Sequence, residues 1–392
     1  MKKIYPISIL IFSSLMFFNA KAASEGKCGE TDEDCHYNLS DTGHLKITGS
    51  GALTSYPWNR SAVYSLEIDD GITSIAQAAF RGGQYTEVDI PNSVESIGFQ
   101  AFYSNTLTEA TLGKIIETQA FRDAINLKTV TIKEGVTSLA ESAFNAMVNL
   151  EKITLPDTLE TINQKAFWNT PKLESIELPE NLKTIGFGAF YSSGINQIDI
   201  PDSVTSIAAT AFGNSDITTM SIGKSLEVTT AGGATNLESV IIRDGVTKIA
   251  PDAFRNLKNL ETVVLPDGVE TIGNSAFFGC TKLKDLFIPD SVTFIDGFAL
   301  AGVTANIYCN DTSKDRCKNL VYGTGMVQGT GFAGTLNLYT VDNNGIYHIG
   351  NKKFASYSDM LAGKQLRKRI YTVDEATKLS KPAGNTFRLR YK

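Results

Sequence analysis

The chain has 392 residues and a formal net charge of −6, and it contains only three histidines and five cysteines. The cysteines are not spaced as CxxC pairs, which argues against a zinc site. His36, His44 and His348 lie outside the repeats described below, so no acid–base constellation of the kind that an enzyme needs is assembled. We therefore expect no metal, no cofactor and no enzymatic activity.

The first 22 residues have the pattern of a secretory signal peptide. Lys2 and Lys3 precede an apolar run from Ile7 to Phe18, and the small-residue site Ala20 to Ala22 follows. An uncleaved membrane anchor is the weaker alternative, because the apolar run is shorter than the roughly 20 residues that span a bilayer. We expect an exported protein, secreted or displayed on the cell surface, with no transmembrane span after cleavage.

Cysteines occur in two local pairs, one before and one after the repeats. Exported chains form disulfides readily, and the spacing predicts Cys28 paired with Cys35 and Cys309 paired with Cys317. Each bond would close one end of the molecule. Cys280 is left over, and we interpret it as a buried, packed thiol.

Residues 23–65 lack the repeat and are predicted to form an N-terminal cap. The segment from Leu45 to Trp58 alternates apolar and polar residues around glycines, which predicts a capping hairpin. Without a cap the first repeat would expose its apolar interior to water. The acidic cluster in the same region lacks the ligand spacing of a calcium loop, and we interpret it as solvated. Its members are Glu30, Asp32, Glu33 and Asp34.

Between residues 66 and 308 one short phrase recurs about ten to eleven times, for example IPDSVTSIAATAF ending at Phe212. We call the last residue of each copy its anchor. Successive anchors are mostly 22 or 23 residues apart, and such a period predicts a solenoid. The anchors are Phe80, Phe102, Phe121, Phe144, Phe167, Phe190, Phe212, Phe254, Phe277 and Leu300.

Each copy opens with an apolar, polar, apolar triplet such as Ile176-Glu177-Leu178, which predicts a short strand with one buried face. Turn residues follow, and then the Ala-Phe pair that ends the copy. No copy can bury its apolar side alone, so the copies must stack with strands about 4.8 Å apart. The predicted fold is an α/β solenoid of leucine-rich-repeat type, with short parallel strands, turns and short helical segments.

Two copies are irregular. LGKIIETQAF, ending at Phe121, is three residues shorter in its turn, and IGKSLEVTTAGGA is degenerate. We expect Ala234 to occupy the anchor position of the degenerate copy. Loss of the aromatic ring predicts a local weak point or bend there.

Several of these motifs together resemble a known family. The IPDSVTSIxxxAF core, the period of roughly 23 residues, and the leading CG, YNLSDTGHLKITGSGAL and PW are similar to BspA-like bacterial surface leucine-rich repeat proteins. The resemblance covers about residues 28–308, and the asparagine ladder of the LxxLxLxxN pattern is missing. It implies secreted or surface-displayed proteins that bind other proteins, including, in some members, host surface and matrix proteins.

The middle residue of each opening triplet should point outward, so the copies should form an outward column. The last three members, Ile241, Val264 and Phe287, are apolar and form a candidate partner-binding stripe. Alternatively, the chain after Cys317 covers this stripe. The upstream members are acidic or hydroxylated and suit a polar, basic partner or simply solubility. They are Glu67, Asp89, Thr111, Thr131, Thr154, Glu177, Asp199 and Ser221, of which Glu177 and Asp199 are the candidate partner contacts.

The chain after the repeats divides into a cap or linker, residues 309–345, and a small basic α+β module, residues 346–392. A hairpin is predicted from Ile346 to Ser356. From Asn351 onward the charge is +8, which leaves −14 for residues 1–350. Such segregation suits contact with an anionic envelope surface, recognition by secretion machinery, or capping of the last repeat. The candidate basic surface comprises Lys364, Arg367, Lys368, Arg369, Arg388 and Arg390.

The sequence thus predicts a secreted or cell-surface repeat scaffold that mediates protein or surface binding, in the manner of an adhesin. An envelope structural protein without a host partner is the first alternative. A glycan-active enzyme is the least favoured alternative. Nucleic-acid binding is not expected of an exported chain whose tail lacks a platform for stacking bases.

Overall fold

The fold is that of a computed structural model. The predicted signal peptide, residues 1–22, and the basic residues from Lys364 to Arg390 fall outside the described residues. Those described are 24–31, 34–103, 106–113, 121, 124–227, 230–310, 317, 320–321, 334–341, 347–349 and 352–354.

Short strands make up nearly all of the regular structure in the described residues. Two 3-10 helices, Arg60–Ala62 and Lys224–Glu227, lie between them, and Cys317, Leu320 and Val321 are helical. In chain order the strands are β1 (Ser24–Lys27), β2 (His36–Leu39), β3 (His44–Thr48), β4 (Ala52–Leu53), β5 (Ser65–Ile68), β6 (Ser74–Ile75), β7 (Glu87–Asp89), β8 (Ser96–Ile97), β9 (Glu109–Leu112), β10 (Thr129–Ile132), β11 (Ser138–Leu139), β12 (Lys152–Thr154), β13 (Thr161–Ile162), β14 (Thr184–Ile185), β15 (Gln197–Ile200), β16 (Ser206–Ile207), β17 (Thr219–Ile222), β18 (Ser239–Ile242), β19 (Lys248–Ile249), β20 (Thr262–Val264), β21 (Thr271–Ile272), β22 (Asp285–Ile288), β23 (Phe294–Ile295), β24 (Asn306–Asn310), β25 (Thr335–Val341), β26 (Tyr347–Ile349) and β27 (Lys352–Phe354).

The repeats stack as parallel coils, which confirms the predicted solenoid. A regular repeat, here called a rung, contributes one strand of three or four residues to face 1 and one strand of two residues to face 2. Strands of consecutive rungs pair in parallel on both faces, as Val130 with Ile153 on face 1 and Ile162 with Ile185 on face 2. The chain then turns through the Ala-Phe corner, the loop around each anchor, before the next rung begins.

The predicted helical segments of the α/β description are replaced by turns at the Ala-Phe corner. Residues two positions before and after the anchor adopt left-handed backbone angles, as Lys165 (φ 57°) and Asn169 (φ 58°) do around Phe167. A left-handed residue on each side of the anchor prevents a right-handed helix from propagating. The described rungs are therefore a β-solenoid with almost no helix.

The anchors form a stacked column at the centre of the solenoid. Each of them is at most 4% exposed, and ring centroids of successive anchors lie 5.1–5.5 Å apart where they stack. Phe190, for example, is completely buried between Phe167 and Phe212. The column is the packed core that no rung could form alone, as the spacing of the repeats predicted.

The N-terminal cap is built differently from the expected hairpin. Strand β3 pairs in parallel with β5, and β4 pairs in parallel with β6, so the segment from Leu45 to Trp58 is itself a rung. Trp58 occupies its anchor position, with its ring 5.7 Å from that of Phe80. The antiparallel strands lie one element earlier, because β1 and β2 add to β3 and cover the first rung.

Both faces are interrupted along the solenoid. In the described residues face 2 comprises β4 to β8, β11 to β16 and β19 to β23, and at the degenerate rung the 3-10 helix Lys224–Glu227 takes the place of its strand. Strand β17 continues face 1 through the same rung, and the weak point or bend expected there stays a prediction. The face 2 residues of the shortened rung lie outside the described residues. Face 1 breaks elsewhere: Ile176-Glu177-Leu178, which was predicted to be a strand, is not one, although Ile176 is buried.

The anchor of the degenerate rung is Ala231 rather than the expected Ala234. The Ala234 N–H donates to the Ala231 carbonyl at 3.2 Å, as the Leu257 N–H donates to the carbonyl of the anchor Phe254 in the next rung. The backbone after Ala231 closes over the preceding anchor, because a Cβ at Gly232 would lie 2.8 Å from its ring. This close approach fills space that a phenylalanine would otherwise occupy.

At the C-terminal end, face 1 continues beyond the last full rung. Strands β24 and β25 extend it in parallel, and β26 and β27 add an antiparallel hairpin, as predicted between Ile346 and Ser356. Val321 is fully buried, and so is the last anchor, Leu300. The remainder of the predicted basic module lies outside the described residues.

Candidate interaction surfaces

Parts of the outward column predicted from the triplets are present on face 1, with members side by side where the strands pair, whereas Glu177 lies in a gap between two sheets. Asp89 pairs with Thr111 and Thr111 with Thr131 on the first half, and Asp199 pairs with Ser221 and Ser221 with Ile241 on the second. Acidic members at the N-terminal end are neutralised locally. The Lys46 ammonium donates to the Glu67 carboxylate at 2.6 Å, and this hydrogen bond is the main reason that the pKa of Glu67 is lowered.

The apolar stripe at the end of the column is largely closed. Ile241 and Val264 are half-buried, and Phe287 is only 9% exposed. The Phe287 ring stacks on that of Tyr308 in the next strand, with centroids 4.4 Å apart, and Tyr308 is itself fully buried. Sequence reasoning missed Tyr308, because it follows the last copy of the repeat, but its register beside Phe287 makes it the next member of the column.

Of the two predicted acidic contacts, Glu177 is exposed and Asp199 is engaged by an arginine. Arg243 reaches back across the degenerate rung and forms an ion pair with Asp199. The same guanidinium donates to the Asp202 carboxylate at 2.7 Å and to the Ile200 carbonyl at 2.6 Å, and only 17% of the Arg243 side chain is exposed. Arg243 is therefore a brace that ties together rungs two positions apart.

A second brace of the same design crosses the shortened rung. Lys133 forms an ion pair with Asp89, and both residues lie 110 positions before their counterparts Arg243 and Asp199. The rung that is crossed carries glycine at its turn in both cases. A Cβ at Gly223 would lie 1.9 Å from an Asp202 oxygen, so a side chain there would collide with the brace. These braces were not predicted, because the partners are 44 residues apart in sequence.

Hydroxyl groups at the turn replace the missing asparagine ladder. In IPDSV-type turns the Ser or Thr side chain donates to a carbonyl of the preceding rung, as Ser203 does to Leu182 at 2.6 Å. Thr158 bonds to Val136 and Ser291 to Val269 in the same way. Asn181, at the equivalent position of its own rung, donates to the Asp157 carbonyl instead. The S in the repeated phrase is the sequence signal for this ladder.

The Ala-Phe corner carries a second series of aromatic side chains outside the core. The residue directly after the anchor is often aromatic, and Trp168 and Tyr191 stack there with ring centroids 4.1 Å apart. A cationic group lies over several of the outer rings. The pairs are Arg60 with Tyr56, Arg81 with Tyr103, Lys165 with Trp168 and Arg255 with Phe278, at 4.9–5.5 Å from the ring centroids.

The cysteines are arranged as predicted. Cys28 is bonded to Cys35 and Cys309 to Cys317, and all four are buried at the two ends of the solenoid. Cys280 is free and buried, and its thiol donates to the Phe254 carbonyl at 3.0 Å. Desolvation by burial raises the pKa of this thiol to about 12, so at neutral pH it is protonated and unreactive.

Among the residues that the structure describes, no group of three or more His, Cys, Asp or Glu side chains is placed to hold a metal ion. No helix in the same part of the chain is both long and apolar enough to cross a bilayer. The predicted basic surface from Lys364 to Arg390 lies outside the described residues, so its arrangement stays a prediction.

The repeats match a known family and known structures. The family model for BspA type leucine-rich repeat regions matches in six copies, over residues 52–118, 114–232 and 232–361. Similar solved structures include leucine-rich repeat proteins from Bacteroides ovatus (21% identity, 80% of this chain, 99% of that chain, TM-score 0.40) and Eubacterium ventriosum (21%, 72%, 95%, 0.36). A leucine-rich cell surface protein from Faecalibacterium prausnitzii is also similar (21%, 82%, 95%, 0.29). The comparison with curated proteins finds no match.

The family match extends over more than half of the sequence. The chain therefore belongs to the BspA-type leucine-rich repeat family. The parallel rungs and the buried anchors described above are the structural form of that repeat in this chain.

Proposed function

We propose that this protein is an exported repeat scaffold that acts at or outside the cell surface by binding another protein. The observation that carries the proposal is the regular stacking of the rungs, which presents side chains in columns on an extended surface. Scaffolds of stacked repeats bind partners through such extended surfaces. Two disulfides at the ends of the solenoid support an oxidising, extracellular compartment.

The proposal is tested with the mature protein, residues 23–392. Purified extracellular matrix proteins are immobilised as a panel, and binding of the mature protein is measured by surface plasmon resonance. We expect saturable binding to at least one member of the panel. A mature, folded protein that binds no panel member and no intact host cell would contradict a binding function and favour the structural alternative.

The basic C-terminal segment gives the proposal a second, separable part. We propose that residues 355–392, which include Lys364, Arg367 and Arg388, hold the scaffold on an anionic envelope surface. Cells that express the full chain are compared by fractionation with cells that express residues 1–354. Release of the truncated protein into the medium is the expected result, whereas unchanged surface display would refute this anchoring role.

A further inference from the structure

We propose that the partner binds at the Ala-Phe corner, centred on Phe187, Trp168 and Tyr191, rather than on face 1. We further propose that the partner presents an apolar side chain with neighbouring carboxylates. The inference deepens the proposed function and rests on it, because it names the surface of the scaffold and the chemistry of the protein that it takes.

Three aromatic residues lie on neighbouring loops at this part of the corner. Phe187 is 47% exposed, and the stacked pair of Trp168 and Tyr191 is half-buried. Gly188, with φ at 58°, lets the indole of Trp168 lie against the backbone next to Phe187, because a Cβ there would lie 2.7 Å from the ring. Gly213 makes similar room for Tyr191, at 2.8 Å. Rigid, packed aromatic groups of this kind dominate the binding energy of protein interfaces.

Exposed apolar side chains concentrate on the same corner. Six large hydrophobic residues are prominently exposed in the described part of the chain, and four of them lie on the loops around anchors: Ile125 (56%), Val148 (41%), Phe187 (47%) and Phe298 (46%). Single exposed hydrophobic residues need no explanation, and these four belong to the rungs of Phe121, Phe144, Phe190 and Leu300. They therefore show that the corner is the more apolar exposed edge of the described solenoid, and the stacked rings select the place on it.

The charge of the corner specifies the chemistry of the partner. Residues 1–350 carry a net charge of −14, yet the groups over the outer rings are cations. Lys165 lies 5.5 Å from the centre of the Trp168 ring, and Arg81 lies 4.9 Å from that of Tyr103. At the centre of the proposed site this cation is Lys165, whereas Arg81 lies four rungs earlier. An aromatic surface with a lysine beside it is complementary to an apolar anchor with a neighbouring carboxylate, and such complementarity steers association.

Face 1 lacks these properties. Its apolar stripe is closed at Phe287, which is 9% exposed and stacked on Tyr308. Its carboxylates at Asp89 and Asp199 are engaged by braces within the chain. A partner on face 1 would have to displace contacts that the solenoid already makes, whereas the corner offers exposed rings without that cost.

The test uses two synthetic peptides of twelve residues as probes. Each peptide has one central Phe, which is flanked by Asp and Glu in the first peptide and by Lys in the second. We expect the mature protein to bind the acidic peptide at least 10-fold more tightly than the basic one. Phe187→Ser and Lys165→Glu should each weaken binding of the acidic peptide at least 10-fold. Phe294→Ser is the matched control, because Phe294 is 48% exposed but lies on face 2.

Several outcomes would overturn the inference. Two of them are absence of binding to the acidic peptide and equal binding of both peptides. A third is a Phe187→Ser variant that binds the acidic peptide as well as Phe294→Ser does, when circular dichroism shows that both variants are folded. A dimer of the mature protein that Phe187→Ser dissociates in analytical ultracentrifugation would identify a second copy as the occupant, and would also overturn it.

The same variants separate this inference from the proposed function. If a matrix protein of the panel binds the wild type and the Phe187→Ser variant equally, the scaffold binds proteins but not through the corner. If no panel member binds while the acidic peptide binds in a Phe187-dependent way, the surface assignment stands and the choice of extracellular partner fails.

Discussion

Phe187 and Phe190 lie three residues apart in one rung, yet the first is 47% exposed and the second is completely buried. Phe190 stacks between the anchors of the two neighbouring rungs, with centroids 5.2 and 5.5 Å away. Phe187 precedes the left-handed Gly188 and points away from this column. The pair therefore separates the two kinds of aromatic side chain in this solenoid, one that holds the rungs together and one that faces the surroundings.

Phe190→Ala should destabilise the protein by about 3–5 kcal/mol, because it removes a buried ring and leaves a cavity between two others. Phe187→Ala is the matched control and should change the free energy of unfolding by less than about 0.5 kcal/mol. Both are measured by urea unfolding followed by circular dichroism. Similar losses for the two variants would show that the anchors are not the main source of cohesion.

The brace at Arg243 should contribute to stability through its charged hydrogen bonds. Arg243→Gln is expected to cost about 1–3 kcal/mol, since the side chain is mostly buried and donates to Asp202 and to the Ile200 carbonyl. Lys284→Gln is the control, because the Lys284 and Glu261 side chains are both at least 40% exposed and such pairs contribute little.

A double-mutant cycle of Arg243→Gln with Asp199→Asn isolates the ionic part of the brace. The two substitutions should be less costly together than the sum of their separate effects. Additive effects would mean that the contact with Asp199 adds nothing, and that Arg243 stabilises the rungs only through its other acceptors.

Ser203 tests the hydroxyl ladder. Ser203→Ala leaves the Leu182 carbonyl without its donor and should cost about 1 kcal/mol. Ser203→Asn should recover only part of that loss, because Asn181, at the same position one rung earlier, donates to a different carbonyl of the preceding rung, that of Asp157. Ser206→Ala, at an exposed position on face 2, is the control and should be close to neutral. The midpoints of urea unfolding are compared for the three variants. Equal midpoints for Ser203→Ala and Ser206→Ala would show that the hydroxyl hydrogen bond does not stabilise the rungs.

The repeated features were predictable because the period itself imposes them. Burial of Phe212 and Phe277 follows from spacing alone, since a rung of about 23 residues cannot shield its own anchor. Trp58 escaped prediction as an anchor because Pro57 stands before it where other rungs have alanine. Its role appears only when β4 is seen to pair in parallel with β6.

Contacts that skip a rung were not predictable from the repeat. Whether Lys133 reaches Asp89 depends on how far the intervening rung is recessed at Gly113, where a Cβ would lie 2.4 Å from the Pro91 carbonyl oxygen. The sequence therefore did not indicate that Asp89 and Asp199 are already engaged in ion pairs within the chain. Likewise, burial of Phe287 at the end of the apolar stripe depends on Tyr308, which follows the last copy of the repeat and so has no counterpart in the repeated phrase.

Cys280 should make stability fall at alkaline pH. Burial raises the pKa of its thiol from 9.0 to about 12, so the folded state retains a proton that the unfolded state loses first. The thiol's contribution is complete below pH 9 and is lost as the pH rises from 9 toward 12. Tyr85, whose pKa burial also raises, adds to the same decline.

Cys280→Ser isolates the part of this decline that belongs to the thiol, because Ser215 occupies the equivalent position three residues after Phe212 and donates to that anchor's carbonyl at 2.7 Å. The free energy of unfolding is measured from pH 7 to pH 10.5 for both proteins. The variant should lose less stability than the wild type above pH 9, and the stabilities of the two proteins should change in parallel below pH 9. Identical pH dependence of the two proteins would show that the fold does not raise the pKa of the thiol.

In the wild type, a thiol reagent should label no cysteine of the native protein at pH 8 and one cysteine after unfolding without reductant. Rapid labelling of the native state would show that the thiol is accessible to the reagent.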